Sequence, residues 1–382
     1  MSLSIGIYTY STLPRGSVVH AAAVAEALAA AGTDVTLYAL DKEGRGFFRP
    51  LRAPLCLVPA SPTPPTTAEL VRVRRRELAR YVRDRDAGHD IHHAEDCLTA
   101  SALLDVAASD GIRVARTVHH VEPFSDPYLA ACQTRSIREA HLVFTVSATV
   151  AAEVRQRFAV EAALVGNGVS LERFATADGA RVQRWRARLG RSLVLAVGGV
   201  EERKNTLRTL EAFARLRAQH PDARLAILGG ASVLDHGRYR AAFDDRLAAL
   251  PADVRGAVHH LGVVPDADVP ALYHAAAVLA LPSLREGFGL AALEALAAGR
   301  PLLASARPPF TEFLDATCAT LVDPTSVDAI HAGLLQAMDA SETRRRAGRQ
   351  RAARHSWGRV AALHLDHYRR SHARDALHRS LA

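Results

Sequence analysis

Lysine is nearly missing from this chain: Lys42 and Lys204 are the only two among 382 residues, and the other basic residues are all arginine. Four cysteines, Cys56, Cys97, Cys132 and Cys318, are too scattered for a Cys-x-x-Cys zinc or redox site and too few for a disulfide framework. They read as reduced and mostly buried. No apolar run approaches the roughly 20 residues that span a bilayer, and the start, Met1-Ser2-Leu3-Ser4-Ile5, carries no basic leader or cleavage signal. The expectation is a cytoplasmic protein. Aromatic residues make up only 5%, and they form no stacking platform of the kind that holds single-stranded nucleic acid.

What is present is a globular composition, 49% hydrophobic and 23% charged, with a formal net charge of +8. The length suits two domains. A basic balance fits a phosphorylated ligand, nucleic acid or an anionic membrane surface without choosing among them. The arginine-rich stretches Arg72 to Arg76, Arg181 to Arg191 and Arg344 to Arg354 read as solvated helix faces, which together could also meet an anionic lipid surface.

Apolar runs recur at the spacing of buried strands. Ile5 to Tyr10, Val35 to Leu40, Ile91 to His93, Val114 to Val118 and Leu142 to Val146 alternate with alanine-rich helical segments such as Val18 to Ala31 and Leu98 to Ser109. The series restarts with Leu193 to Val197, Arg224 to Leu228, Val258 to Leu261, Val278 to Leu281 and Pro301 to Ala304. Such alternation builds parallel sheets covered by helices on both faces. The fold class is therefore α/β, with two Rossmann-like doubly wound domains. We expect an N-terminal domain at 1–175, a C-terminal domain at 176–355, a linker near 170–190, and final helices at 356–382 that return to the N-terminal domain. Ligands of such sheets sit beyond the carboxyl ends of the strands, so the strand-to-helix loops are where chemistry is expected.

Three loops stand out. Pro282-Ser283-Leu284-Arg285-Glu286-Gly287-Phe288-Gly289-Leu290 follows a strand and opens a helix, with glycines that admit a ligand to the backbone and free N–H groups that favour a diphosphate. Glu286 in this loop and Glu294 inside the helix flank that anion site, and a carboxylate beside a phosphate is better employed accepting hydrogen bonds from sugar and ribose hydroxyls. Gly198-Gly199-Val200-Glu201-Glu202-Arg203-Lys204-Asn205 follows the first strand of the second half and offers adjacent cations to the same phosphates. Pro14-Arg15-Gly16-Ser17 is a third turn into a helix, and Thr117-Val118-His119-His120 closes a strand, placing an imidazole at a loop. The run His92-His93-Ala94-Glu95-Asp96-Cys97 holds several possible metal ligands. Alternate residues of a strand point to opposite faces and no paired spacing exists elsewhere, so no metal site is expected.

These motifs, in this order, resemble the GT-B-fold retaining glycosyltransferases of family 4, in a bacterial branch. The resemblance runs over nearly the whole chain. It rests on Glu286 and Glu294 as an E-x7-E motif, on Arg203-Lys204-Asn205 as a basic donor loop, on Asn167-Gly168-Val169 with Arg173-Phe174, on Ser147, and on Thr117-x-His119. It implies that Glu286, with backbone groups of Gly287, Phe288, Gly289 and Leu290, holds the donor sugar and phosphates. It also implies that Glu294 binds the ribose, that Arg203 and Lys204 bind the diphosphate, and that Val264 lies at the base. Gly16 would sit under the phosphates, and His119 beside the transferred sugar. The donor would be a UDP- or GDP-sugar, with an unknown acceptor, no metal and no other cofactor required, and no nucleic-acid partner. One departure is Gly199, where many members carry arginine; Arg203 with Lys204, or Arg15, would then supply the charge. A glycoside hydrolase using Glu286 and Glu294 would leave the basic loop idle. A basic nucleic-acid-binding protein is the other alternative, and it finds no recognition motif here.

Overall fold

The computed structural model describes residues 3–42, 44–64, 66–85, 88–230 and 237–381, with side chains described as far as residue 373. The chain divides into two compact units, one made of 1–168 and 357–382 and the other of 169–356.

The first unit carries seven parallel strands: β1 Ser4–Thr9, β2 Asp34–Asp41, β3 Leu55–Pro59, β4 Ile91–Ala94, β5 Val114–Val118, β6 Leu142–Thr145 and β7 Ala163–Leu164. Their order is β3-β2-β1-β4-β5-β6-β7, so the sheet reverses direction of growth between β1 and β4. Side chains alternate across β1. Ile5 and Ile7 pack with the helix Gly16–Ala30 and the final helix Trp357–Leu381, while Tyr8 faces the helices Thr67–Arg85 and Cys97–Asp110. Burying each of these large apolar side chains stabilises by about 1.5–3 kcal/mol.

The second unit has six parallel strands: β8 Leu193–Val197, β9 Arg224–Leu228, β10 Val258–Gly262, β11 Val278–Leu281, β12 Leu302–Ser305 and β13 Thr320–Val322. Their order, β10-β9-β8-β11-β12-β13, reverses between β8 and β11, which pair directly at Val194–Val278, Leu195–Leu279 and Ala196–Ala280. The loops that leave these two strands therefore emerge side by side at the crevice where such sheets bind ligands.

The strand candidates of the sequence all form. Three further strands, β3, β7 and β13, had no counterpart in the reading. The polar stretch expected to hold the linker contains helices Leu171–Ala175 and Gly179–Leu189, and Val182, Trp185 and Leu189 of the latter are buried. Nor is the Arg72–Arg76 stretch wholly solvated: Arg74 is buried and paired to Glu77 at 2.7 Å, and Arg75 grips Asp105 at 2.5 Å. No helix among the described residues is long and apolar enough to cross a membrane.

Candidate active site

The β8 loop begins with Gly198 and Gly199, both at positive φ (124° and 76°). The Lys204 side chain folds back over the first of them; a Cβ on Gly198 would fall 2.4 Å from Lys204 Cε. Gly199 is equally constrained, because a Cβ there would lie 2.9 Å from the Gly230 carbonyl. The chain has no room at this point for the arginine that resemblance suggested. Residues Glu202–Lys204 form a single 3₁₀ turn, and Asn205, left-handed at φ 60°, launches the helix Thr206–Gln219.

Asn205 also ties this loop to its neighbour. Its Nδ2 donates to the Pro282 carbonyl at 2.9 Å and to the Pro324 carbonyl at 2.6 Å, while Leu284 N–H donates to the Arg203 carbonyl at 2.8 Å. This stitching brings together three residues the sequence had singled out. Lys204 Nζ lies 2.6 Å from Glu286 Oε1, and Arg203 lies 3.5 Å from Glu286 Oε2. Ser283 Oγ donates to the same carboxylate at 2.8 Å, and Arg203 is also paired to Glu201 at 2.8 Å.

Burial opposes charge on both members of the central pair. It pulls the Lys204 ammonium below its ordinary pKa, against the pull of Glu286. On Glu286 burial pushes upward, yet Lys204 and Arg203 outweigh it and hold the carboxyl below the ordinary range. The two cations favour the charged form of Glu286, and a diphosphate arriving here would compete with Glu286 for the lysine.

Glu294 sits in different company. From the helix Leu290–Ala297 its Oε2 accepts from the Tyr273 hydroxyl at 2.6 Å. Burial raises its pKa, with Tyr273 and Arg173 opposing. Arg173, on the helix Leu171–Ala175, directs its guanidinium at Asp266 in a two-pronged contact of 2.6 and 2.8 Å. The two motif carboxylates are therefore pushed in opposite directions and share no bonding partner among these contacts. Glu286 is held by two cations that a paired acid and nucleophile would leave without a task, and Glu294 is held by a tyrosine hydroxyl.

Between them, Gly289 adopts φ 104°, and a Cβ on it would strike the Phe310 ring at 2.4 Å. Only glycine lets the chain turn here into the helix, whose first residue is Leu290. Phe288 anchors the turn by stacking on Phe313 at 4.8 Å. Gly287 stands in the same loop. Val264, after β10, borders a hollow of about 440 Å³ together with Trp185, Arg188, Leu261 and Asp268.

Gly229 and Gly230, which follow β9, are not among the residues expected at the site. A Cβ on Gly229 would fall 2.6 Å from the Gly199 amide, so the β8 and β9 loops touch through bare backbone. The signal was there: a glycine pair directly after a strand, as at Gly198-Gly199.

In the first unit, Gly16 opens its helix with nothing within 4 Å of a built Cβ. Beyond the neighbouring strand ends lies a buried histidine cluster. His119 Nε2 is 2.7 Å from Glu95 Oε2; His20 Nε2 is 3.9 Å from the same oxygen; His93 Nε2 is 3.7 Å from Oε1. His20 Nδ1 bonds Asn167 Oδ1 at 2.6 Å, and His93 bonds Thr117 at 2.7 Å and the Tyr368 hydroxyl. Among the described residues, His20, Glu95 and His119 are the one group whose side-chain atoms converge within 4.8 Å as metal ligands might. Two of the three, Glu95 and His119, are hydrogen-bonded to each other at 2.7 Å. Burial pushes Glu95 up to about 7 against His20 and Arg116, and pulls His20 and His119 down. Burial thus works against charge on these two rings and on the carboxyl beside them.

Comparison with known proteins agrees with this geometry. Residues 14–173 match Glycosyltransferase Family 4 and residues 181–354 match Glycosyl transferases group 1. The chain is 30% identical to the MMP alpha-(1->4)-mannosyltransferase of Mycolicibacterium hassiacum over 78% of its length and 74% of that protein's. It is 31% identical to the GDP-mannose-dependent alpha-(1-6)-phosphatidylinositol monomannoside mannosyltransferase of Mycolicibacterium smegmatis, over 76% of this chain and 75% of that one. Among solved structures, sucrose-phosphate synthase from Thermosynechococcus elongatus superposes with a TM-score of 0.79 at 20% identity, covering 97% of this chain and 99% of the other. Anabaena HepE in complex with UDP-glucose superposes with a TM-score of 0.76 at 15% identity, covering 97% and 100%. Two family matches that divide the chain between them, full-length likeness to GT-B structures and a seated E-x7-E motif have one reading: the chain belongs to glycosyltransferase family 4, and it is a GT-B-fold glycosyltransferase.

Proposed function

We propose that the protein moves a sugar from a UDP- or GDP-sugar to an acceptor hydroxyl with retention at the anomeric carbon and without a metal ion. The observation that carries this reading is the Lys204–Glu286 contact of 2.6 Å at the junction of the β8 and β11 loops. A sugar diphosphate needs cations at its phosphates and acceptors at its hydroxyls, side by side, and this pair supplies both.

In this proposal Lys204 and Arg203 take the diphosphate, relieving Glu286, whose oxygens turn to the sugar hydroxyls. The backbone from Gly287 through Phe288 and Gly289 to Leu290 meets the phosphate and sugar. Glu294, steadied by Tyr273, takes the ribose, and Val264 lies by the base. Gly16 passes under the phosphates and His119 stands beside the transferred sugar. As the anomeric C–O bond breaks, negative charge gathers on the leaving diphosphate, and the fixed cations and helix N–H groups stabilise it there. The acceptor hydroxyl oxygen then bonds the anomeric carbon on the face the diphosphate vacates, and its proton passes to an oxygen of the departing diphosphate. Catalysis is assigned to His119, Lys204 and Glu286.

The relatives' names point to GDP-mannose and the bound ligand of the structural neighbour to UDP-glucose; both belong in the first screen. Location in the cytoplasm belongs to the same reading. So does peripheral contact with an anionic membrane through exposed arginines such as Arg346 and Arg354.

The test is a panel of UDP- and GDP-sugars, assayed for nucleoside diphosphate release and for thermal stabilisation, with and without EDTA. One donor should raise the melting temperature, and NMR of the product should show the donor's anomeric configuration. Inversion, or activity abolished by EDTA and restored by a divalent ion, would overturn those parts of the proposal; no response to any nucleotide sugar would overturn the whole.

A further inference from the structure

Glu95 is buried to 1% exposure, and among the described residues its carboxyl is hydrogen-bonded to His119 alone. Its neighbour Asp96 is used structurally, accepting from Thr99 N–H at 2.8 Å and Tyr10 N–H at 3.0 Å to fix the start of a helix and the end of β1. Glu95 has no such task. Among the described residues its Oε1 has no hydrogen-bond partner, nor has His20 Nε2. A buried carboxyl with one partner and one orphaned oxygen is costly to the fold, and this cost is incurred directly beside His119, the residue assigned to the transferred sugar.

The hydrogen bond decides what His119 can offer. Nε2 is committed to Glu95, so any bond from the ring to a ligand is made by Nδ1, and the His119 side chain retains 12% exposure. When Glu95 is a carboxylate, Nε2 carries the proton and Nδ1 is an acceptor. When Glu95 is a carboxylic acid, it donates to Nε2 and the ring proton moves to Nδ1, which becomes a donor. We propose that Glu95 is a positioning residue that sets the tautomer of His119, presenting Nδ1 as an acceptor to a sugar hydroxyl when the carboxyl is ionised. This rests on the reading of His119 beside the transferred sugar.

The groups facing Glu95 come from every side. They are His20 of the first helix, His93 of β4, Asp96 next in the chain, Arg116 and His119 of β5 and its end, and Tyr368 of the last helix. Desolvation raises the carboxyl to about 7, with His20 and Arg116 opposing and Asp96 adding to the rise. The same burial keeps His119 neutral, since its pKa lies well below the ordinary value. The switch is thus between two neutral tautomers of His119, not between charged and uncharged imidazole.

The experiment uses the full-length protein labelled with ¹⁵N-histidine. In wild type the ¹⁵N shifts of His119, assigned by loss of its signals in His119→Gln, should exchange from the Nδ1–H to the Nε2–H pattern as pH rises through about 7. The transfer kcat, with the best donor from the nucleotide-sugar panel, should rise over the same interval. Glu95→Gln should remove that step from the pH profile and lower kcat about tenfold, with the donor KM unchanged. A wild-type His119 that keeps one tautomer from pH 5.5 to 8.5 overturns the proposal even if the variant fails to fold. So does a Glu95→Gln profile parallel to wild type, or tight zinc binding that involves His20, Glu95 and His119 together. Full transfer activity in His119→Gln would instead refute the placement of His119 at the sugar, and the tautomer titration would still report on Glu95.

Discussion

Lys204 lies across the bare α-carbon of Gly198, with its Cε where a side chain on that residue would need to be. At φ 124°, Gly198 also holds a backbone conformation that other residues seldom adopt. Gly198→Ala should therefore cost about 1–3 kcal/mol of stability from backbone strain alone. Because it also displaces the lysine, kcat/KM should fall more than tenfold. Urea unfolding and donor kinetics on the purified variant check both; a loss of stability with unchanged kinetics would show that Lys204 does not need this seat.

Gly16→Ala is the contrasting case. A Cβ there meets nothing within 4 Å, and the residue begins a helix without positive φ. Stability should change by less than about 0.5 kcal/mol, as at ordinary surface positions. The donor KM should nevertheless rise severalfold if phosphate passes over that α-carbon. An unaltered KM would take Gly16 out of the donor site.

Breaking the Lys204–Glu286 pair should separate folding from function. Lys204→Met leaves a largely buried carboxylate without its main partner, so Glu286 should titrate higher and stability should drop by about 3 kcal/mol. The rate should fall by about 10²–10³. Adding Glu286→Gln removes the stranded charge, and the double variant should regain much of the stability and none of the activity. Recovery of activity in the double variant would mean that the lysine serves only to hold Glu286.

Much of this site was legible because parallel strands and glycine loops leave strong marks. A run such as Leu193 to Val197 is buried on both faces and reads as a strand without help from neighbours. Lys204 was marked by its place beside Arg203 in the glycine-led loop that follows a strand. Less was legible where the signal is short or spread over distance. β7 is two residues long, and no pattern of two residues identifies a strand. The helix at 179–189 reads from its arginines as a solvated face, although Val182, Trp185 and Leu189 repeat at helical spacing and bury its other side. The histidine cluster was illegible for a different reason. His20, Glu95 and His119 meet only because β1, β4 and β5 are adjacent, and strand order is a property of the whole sheet.

Tyr273→Phe isolates the role of Glu294. The hydroxyl donates to Glu294 at 2.6 Å, and deleting it should cost about 1 kcal/mol of stability. A carboxylate that reads the ribose acts on binding more than on bond breaking. The donor KM should rise about tenfold while kcat stays within about twofold. A fall in kcat at constant KM would place Glu294 at the reacting centre instead.

The histidines of the first unit make it sensitive to acid. His364 is fully buried, its Nδ1 is 2.9 Å from the Val360 carbonyl, and burial first, then His20, pulls its pKa down to about 3. The unfolded chain protonates this ring at its ordinary 6.5 and the folded one does not. Its contribution is therefore intact above 6.5 and is lost as pH falls from there toward 3. Between pH 6.5 and 5 that loss is about 2 kcal/mol. His20 and His93, also held low by burial, add in the same sense. Glu95 runs the other way, since a carboxyl raised to about 7 contributes fully below its ordinary 4.5 and loses that contribution as pH climbs to 7. His364→Phe keeps an aromatic ring beside Phe144, 4.9 Å away, and removes the titration. Urea unfolding at pH 7 and pH 5 should then show a difference smaller by about 2 kcal/mol than in wild type. An identical pH dependence in the two proteins would mean that His364 takes up its proton without unfolding the unit.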